Sequence, residues 1–185
     1  LKIFLNHEDF NFEGGIQSFE DLQIKNKSDR YQYNLPYYNF EKIISQNLFD
    51  GNLFFSSDGN NYLTDTNKLE TNLTNNLTYN SLDYISKFGL KNNFSLSLKN
   101  LNSIGKKTSQ YKSDPQIEIA SLLNVNFSMP LERKNEKSEN LLIPKISLRF
   151  NPSDMKDYST SEKKIDTSNA FALNRLGISD TLETG

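Results

Sequence analysis

The chain has 185 residues, no cysteine, one histidine and a formal net charge of -2, and 35% of its residues are hydrophobic. That share is below the roughly 45 to 50% usual in soluble globular domains, so a soluble core would be thin. The small net charge excludes a general attraction to nucleic acid, and the lack of cysteine excludes disulfides and thiolate metal sites.

Helical patterning is weak along the whole chain. No apolar run reaches the length of about 18 residues that a membrane-spanning helix needs. The best helical candidate, Asn39 to Gln46, is short and rich in β-branched and aromatic residues. The composition is uniform and no linker marks a second domain, so we predict one all-β domain over residues 1–185.

The first part of the chain predicts two strands separated by a long loop. Leu1 to Leu5 forms a first strand, and Asn6 to Arg30 is a loop in which Gly14-Gly15 makes a turn. Tyr31 to Ile44 forms the second strand. Its Pro36 has no N–H for a central ladder, which predicts a bend or bulge there.

The middle of the chain predicts a short strand and then a long one. Asn52 to Ser57 lies between two turn signals, Asp50-Gly51 and Asp58-Gly59, and each is expected to reverse the chain. From Leu69 to Tyr79, apolar residues alternate with polar ones over a length that spans a bilayer.

Four further strands follow in the second half, each bounded by turn residues. They are Phe88 to Leu98, Ile117 to Leu131, Leu142 to Phe150 and, at the end, Ala170 to Leu176. A strand of about 9 to 11 residues crosses a bilayer when tilted, and only one face of it needs to be apolar. We therefore predict an antiparallel transmembrane β-barrel segment that neighbouring strands of a longer chain close, so that this sequence is an internal fragment.

The predicted connections alternate between long and short. Outer-membrane barrels have short periplasmic turns and longer external loops, so Asn102 to Pro115 and Asn151 to Asn169 are predicted to lie outside the cell. The apolar side chains that alternate with polar ones along these strands are predicted to face lipid. They consist of Leu69, Leu73, Leu77, Phe88, Leu90, Phe94, Leu96, Leu98, Ile119, Leu123, Val125, Phe127, Ile146, Leu148 and Phe150.

Short phrases in a fixed order add to this periodic pattern. They are Phe19-Glu20-Asp21-Leu22, Ser28-Asp29-Arg30-Tyr31 with Leu35-Pro36, Lys99-Asn100-Leu101-Asn102, Ser128-Met129-Pro130-Leu131, the run from Leu142 through Ile143-Pro144-Lys145 to Asn151-Pro152, Ile165-Asp166, and Phe171 to Leu176. Together they resemble the barrel region of the LPS-assembly outer-membrane protein family (LptD, also called OstA or Imp), in its alphaproteobacterial form.

The resemblance implies a middle portion of a very large outer-membrane barrel that inserts lipopolysaccharide into the outer leaflet. It implies contact with outer-membrane lipids, with a plug lipoprotein of the LptE type and, through other parts of the chain, with periplasmic LPS-bridge proteins. The jelly-roll domain and the strands of the family's lateral gate are not recognisable in this sequence, and the disulfides of some members have no counterpart here.

Cations on the polar strand faces are candidate lumen-facing contacts for lipopolysaccharide phosphates, although a solvated polar face has the same composition. These cations are Lys87, Lys91, Lys99, Lys145 and Arg149. Four Asn-x-Ser/Thr sequons fall inside strands and are expected by chance in an Asn-rich chain. If their asparagines face a lumen, the amides could hydrogen-bond sugars or water. The sequon asparagines are Asn72, Asn76, Asn93 and Asn126.

The sequence carries no pattern of an enzyme. His7 with Glu8 and Asp9 is a poor metal site, and Gly14-Gly15 lacks the spacing of a phosphate-binding loop. We therefore predict no catalytic residue, no metal and no cofactor. Two alternatives stay open: another outer-membrane barrel, porin-like or an adhesin, and a soluble β-rich surface or binding module.

Overall fold

The structure is a computed structural model and describes residues 1–23, 25, 30–65, 67–135, 138–152 and 166–170. The described residues form strands and turns, with no helix among them, so the all-β prediction is confirmed. The strands are β1 (Lys2–Asn6), β2 (Phe10–Glu20), β3 (Tyr31–Ser45), β4 (Gly51–Thr64), β5 (Lys68–Ser81), β6 (Tyr84–Ile85), β7 (Lys91–Lys106), β8 (Gln116–Ser128), β9 (Leu131–Asn135), β10 (Ser138–Leu142) and β11 (Lys145–Phe150).

The main sheet is antiparallel and follows the chain order. Its strands run β1-β2-β3-β4-β5-β7-β8-β11, β6 pairs with β7, and β9 and β10 form a separate two-stranded sheet. Within the described ranges, no pairing joins β1 to β11, so the membrane-barrel part of the prediction stays a prediction. Except for Ala170, the strand predicted from Ala170 to Leu176 lies outside the described residues.

The chain divides into two compact units. Unit 1 comprises Leu1–Ile44, Phe54–Leu77 and Leu98–Ile119, and unit 2 comprises Ser45–Leu53, Thr78–Ser97 and Ala120–Gly185. Several long strands contribute residues to both units, because the boundaries cut through β4, β5, β7 and β8. The prediction of a single domain stays a prediction.

A bulge in β3 confirms what Pro36 predicted. Gly15 of β2 is opposite Tyr37 and Gln17 is opposite Asn34, so Leu35 and Pro36 together face one residue of β2. The bulge keeps the side chains of Asn34 and Tyr37 on one face, and both are buried. Tyr37 donates a hydrogen bond to Glu13 at 3.4 Å. The buried part of unit 1 is therefore partly polar.

The long loop predicted from Asn6 to Arg30 is wrong. That stretch contains β2, which pairs with β1 on one side and β3 on the other. Gly14 and Gly15 lie inside this strand rather than in a turn, opposite Ile3 and Lys2 of β1. Two glycines suggest a turn when read alone, but here pairing on both sides keeps the backbone extended.

The reversal predicted at Asp58-Gly59 is also wrong, since β4 continues to Thr64. Gly59 lies against the aromatic ring of Tyr38 on β3, and a Cβ atom there would stand 2.5 Å from Tyr38 Cε1. Glycine is needed at this position for close approach of the neighbouring side chain, not for a turn.

The strand predicted from Phe88 starts three positions later, at Lys91. Ser86 to Leu90 form a tight turn, in which the Gly89 N–H donates to the Ser86 carbonyl oxygen at 2.9 Å and Gly89 has a φ of 82°. A left-handed φ suits glycine, so the turn ends the alternation before the strand begins. Lys87 and Phe88 therefore lie in a connection, where both are exposed.

The connections are not long at one end of the strands and short at the other, as had been predicted. In unit 1, the connections after β2, β4 and β7 lie at one end of neighbouring antiparallel strands and span residues 21–30, 65–67 and 107–115. Two are long and one is short, so loop length does not identify an external side. The sequence from Glu132 to Asn140, predicted to be a fairly short connection, contains most of the β9–β10 hairpin, and much of Asn151 to Asn169 lies outside the described residues.

Candidate functional site

Unit 2 holds a part of the sheet whose two faces differ sharply. β11 pairs with β8 so that Lys145 is opposite Ser128, Ile146 opposite Phe127 and Ser147 opposite Asn126. Opposite residues of a pair share a face, and successive residues alternate between faces. We call the face with Lys91, Asn93, Asn124, Asn126, Ser128, Lys145 and Ser147 the polar face of unit 2, and the face with Phe94, Leu96, Leu123, Val125, Phe127, Ile146, Leu148 and Phe150 its apolar face.

The apolar face of unit 2 is the more exposed one. Ile146, Leu148 and Phe150 expose 63%, 60% and 65% of their surface, whereas Asn124 on the polar face exposes 5%. Ser97 of β7, which alternates with Leu96 and therefore points away from the apolar face, exposes 6%. This arrangement is the reverse of a water-soluble sheet, which buries its apolar side chains.

A relay of side-chain hydrogen bonds crosses the polar face of unit 2. The Ser147 hydroxyl donates to Asn124 Oδ1 at 2.6 Å, and Asn124 Nδ2 donates to Asn126 Oδ1 at 3.2 Å. Asn126 Nδ2 then donates to Asn93 Oδ1 at 3.0 Å, which links β8 to β7. Every bond runs in the same direction, so the amides on this face are held in fixed orientations.

The relay ends on a carboxylate. Asn93 Nδ2 donates to Asp83 Oδ1 at 2.7 Å, and the Lys91 ammonium lies 2.6 Å from Asp83 Oδ2. The hydrogen bonds from Lys91 and then Asn93 hold the pKa of Asp83 below its ordinary value of 3.8. Asp83 lies in the short connection between β5 and β6, so the last acceptor of the relay is a residue outside the long strands.

A cavity of about 420 Å³ opens where β7 begins, β8 ends and β11 begins. Among the described residues, its lining consists of five members of the polar face of unit 2, Lys91, Asn93, Asn126, Ser128 and Lys145, and of four apolar residues, Phe127, Pro130, Ile143 and Ile146. The cavity brings two of the predicted cations together with two amides and one hydroxyl. These are groups that bind oxygen-rich, anionic molecules.

The five predicted cations are not one cluster. Lys91 and Lys145 line the cavity, and Lys87 lies in the exposed turn before β7. Arg149, on β11, donates to the Ala170 carbonyl oxygen at 3.3 Å. Lys99 belongs to unit 1, where it is half-buried.

None of the predicted lipid-facing residues is buried. Exposed members are Phe88, Phe94, Leu96, Leu98, Ile119, Leu123, Ile146, Leu148 and Phe150, and half-buried members are Leu69, Leu73, Leu77, Leu90, Val125 and Phe127. Phe88 and Leu90 lie in the turn before β7, so strand alternation does not set their directions. Contact of the other side chains with lipid stays a prediction.

Unit 1 contains a second amide network that the alternation did not indicate. Asn75 accepts a hydrogen bond from the Ser57 hydroxyl at 2.8 Å and donates one to Asn100 at 3.2 Å. Asn75 has the same parity as Leu73 and Leu77, so it interrupts a file that was predicted to be apolar. Its amide is satisfied by neighbouring strands, which lowers the cost of placing it on such a face.

Sequence reasoning identified the cations and the sequon asparagines of unit 2 but missed Asp83 and Asn124. Asp83 looks like an ordinary turn residue, and nothing local shows that a strand residue ten positions later binds it. Asn124 alternates with the apolar residues Leu123 and Val125, but the alternation does not indicate a hydrogen-bond partner for it. Hydrogen-bond partners across strands depend on pairing register, which a single strand does not display.

His7 lies in the connection between β1 and β2. The His7 ring stacks on Phe10 at 5.2 Å, and its Nδ1 accepts a hydrogen bond from the Asp9 N–H at 3.4 Å. In the part of the chain that the structure describes, no three His, Cys, Asp or Glu side chains form a metal-binding group. The same part contains no helix long and apolar enough to cross a membrane.

Comparison of the chain with protein-family models and with curated protein sequences found no match.

Proposed function

We propose that this chain is part of the wall of an outer-membrane β-barrel that delivers lipopolysaccharide to the outer leaflet, without enzymatic activity. The observation that supports the proposal is the arrangement of side chains in unit 2, which is the reverse of that in a water-soluble sheet. Its apolar face is exposed while Asn124 and Ser97, which point the other way, are buried. Hydrocarbon is the solvent that makes such a sheet favourable, because lipid covers the apolar face and water fills the polar side.

Sparse burial of apolar residues supports the membrane over a soluble module. Within the described ranges, the buried hydrophobic residues are Tyr37, Leu101 and Leu122. A soluble sheet depends on burying apolar side chains, and an exposed apolar surface of this extent marks contact with a partner or a membrane. A lipid-facing sheet needs no such core.

The lipopolysaccharide part of the proposal depends on the sequence phrases that resemble the LPS-assembly family. The polar face of unit 2 is compatible with it, because lysines and oriented amides bind phosphates and saccharide hydroxyls. The proposed partners are lipopolysaccharide, outer-membrane lipids, a plug lipoprotein of the LptE type and periplasmic LPS-bridge proteins. A porin-like barrel or an adhesin would have the same exposed apolar face but would not deliver lipopolysaccharide.

Depletion of the full-length protein in a cell that makes it tests this function. The proposal predicts that newly made lipopolysaccharide stops reaching the cell surface within the time that the protein is diluted out, while older outer-membrane proteins remain assembled. Surface delivery is measured by labelling new lipopolysaccharide and probing intact cells. Unchanged delivery after depletion would favour the porin-like or adhesin alternative.

A crosslinking experiment locates the contact. A photoreactive residue at Asn126, on the polar face of unit 2, should crosslink lipopolysaccharide while transport is active and lose that product when the periplasmic supply is stopped. The same residue at Lys134 on the exposed β9–β10 hairpin is the control. Equal products at both sites, independent of supply, would contradict a transport contact.

A further inference from the structure

The cavity of unit 2 has a surplus of hydrogen-bond donors. Each asparagine nitrogen carries two hydrogens, and the relay uses one from Asn93, toward Asp83, and one from Asn126, toward Asn93. One N–H therefore remains on each amide outside the relay. The Ser128 hydroxyl, which lines the same cavity, makes no hydrogen bond to any other described residue and adds a group that both donates and accepts.

The cations of the cavity are not equally neutralised. Lys91 is paired with Asp83, which is not among the residues that line the cavity. Lys145 makes no ion pair with a described residue, so its ammonium contributes one uncompensated positive charge. Ser128 lies directly opposite Lys145 in the register, which puts the hydroxyl and the ammonium on one face.

The chemistry of these groups selects a class of ligand. One positive charge and a row of fixed donors suit an anionic oxygen, and the amides and hydroxyl suit adjacent sugar hydroxyls. The volume of about 420 Å³ falls within the range of roughly 300 to 1,000 Å³ for small-molecule sites. A neutral sugar would leave Lys145 without a counter-charge, and a bare ion would leave the amides unused.

We infer that this cavity binds a single sugar residue that carries an acidic group, with Lys145 on the acid and Asn93, Asn126 and Ser128 on the hydroxyls. The relay from Ser147 to Asp83 holds the two amides ready, so little side-chain ordering is needed on binding. The inference rests on the proposed function for the source of the sugar, a glycolipid passing the polar face. A phosphate and a carboxylate satisfy the site by the same contacts.

The test is titration of the full-length protein, in nanodiscs of phospholipid free of lipopolysaccharide, with small probes. Glucosamine 6-phosphate and glucuronate carry the two kinds of acid, N-acetylglucosamine is neutral, and inorganic phosphate is the bare ion. Binding of either acidic sugar, tighter than both controls, is the expected result. Inorganic phosphate binding as tightly as the sugars would show an adventitious ion only and would overturn the inference.

Variants identify the site. Lys145→Gln should weaken the acidic sugar at least about tenfold, because it removes a charge-assisted bond. Lys134→Gln removes a lysine of the exposed β9–β10 hairpin and should leave affinity unchanged. Ser128→Ala should weaken binding by a smaller factor and preserves the charge. Equal affinity in wild type and Lys145→Gln would refute the assignment.

A lipid-quenching measurement on the same nanodiscs separates the two proposals. A label at Leu148 that is quenched by lipid, combined with no sugar binding, would end this inference and leave the membrane proposal standing. A label that lipid does not quench, combined with sugar binding that depends on Lys145, would remove the membrane proposal and keep the sugar site.

Discussion

The Lys91 ammonium lies 2.6 Å from Asp83 Oδ2, joining the start of β7 to the connection that follows β5. The same carboxylate accepts the last hydrogen bond of the amide relay, from Asn93. Because these donors favour the ionised carboxylate, Asp83 fixes both the charge at the cavity edge and the direction of the relay.

We predict that Asp83 titrates below its ordinary pKa of 3.8 in the folded protein. A lowered folded pKa means that the ion pair stabilises the fold above the unfolded value, and that this contribution is lost as the pH falls through the folded value. Carboxyl chemical shifts from NMR measure the midpoint. Lys91→Gln should move the midpoint upward, and an unchanged midpoint would show that Lys91 does not stabilise the carboxylate.

Replacing Asn126 should break the relay at its centre. Asn126→Leu removes the donor to Asn93 and the acceptor for Asn124, so Nδ2 of the buried Asn124 would lose its acceptor. We expect a loss of about 1 to 3 kcal/mol in the free energy of unfolding, measured by denaturant in detergent micelles. Asn140→Leu, at an exposed position of β10, is the control and should change stability by less than about 0.5 kcal/mol. Equal effects of the two would mean that the relay contributes no stability.

Gly59 should tolerate no side chain while Tyr38 keeps its position. A Cβ at residue 59 would stand 2.5 Å from Tyr38 Cε1, so Gly59→Ala must displace the ring and strain its hydrogen bond with Ser57. We expect destabilisation of about 1 to 3 kcal/mol. In the Tyr38→Ala background, Gly59→Ala should cost much less stability, because the ring that its Cβ would clash with is absent. A double-mutant cycle with no coupling would contradict the contact.

Arginine substitution at neighbouring positions of β7 should distinguish the two faces. Leu96→Arg puts a charge among exposed apolar residues and should cost about 2 to 4 kcal/mol near the bilayer centre, which would impair assembly. Ser95→Arg, on the opposite face, should assemble with near-normal yield, since that face is proposed to meet water. Heat-modifiable migration and protease resistance report assembly. Equal defects at 95 and 96 would argue against lipid on one side only.

The sequence best predicted which side chains share a face of a strand, because the alternation that indicates it lies within a single strand. Alternation in β5, β7, β8 and β11 indicated the polar and apolar files, because side-chain period is a local property. Asn75 departs from this pattern, and its partners Ser57 and Asn100 come from other strands. Such cross-strand bonds compensate a polar residue in a way that no single segment reveals.

Turns and connections were predicted less well, and glycine is one reason. Asp58-Gly59 resembles a turn, but the glycine serves close packing against Tyr38 inside β4. Gly89, in contrast, makes a true turn that shortens the strand predicted from Phe88. The same residue type has opposite structural roles, and the choice depends on neighbours that are distant in sequence. The cavity of unit 2 could not be predicted for the same reason, because it needs the register of three strands.

Lipid quenching of labels on adjacent residues of β11, in the full-length protein reconstituted in vesicles, tests directly whether the apolar face of unit 2 contacts the membrane. Labels at Ile146 and Leu148 should be quenched by quenchers attached to acyl chains, while a label at Ser147, between them, should be reached only by water-soluble quenchers. If the labels at 146 and 148 respond to the aqueous quencher and not to the lipid one, the apolar face of unit 2 does not contact the membrane and the chain is not part of the wall of a membrane barrel.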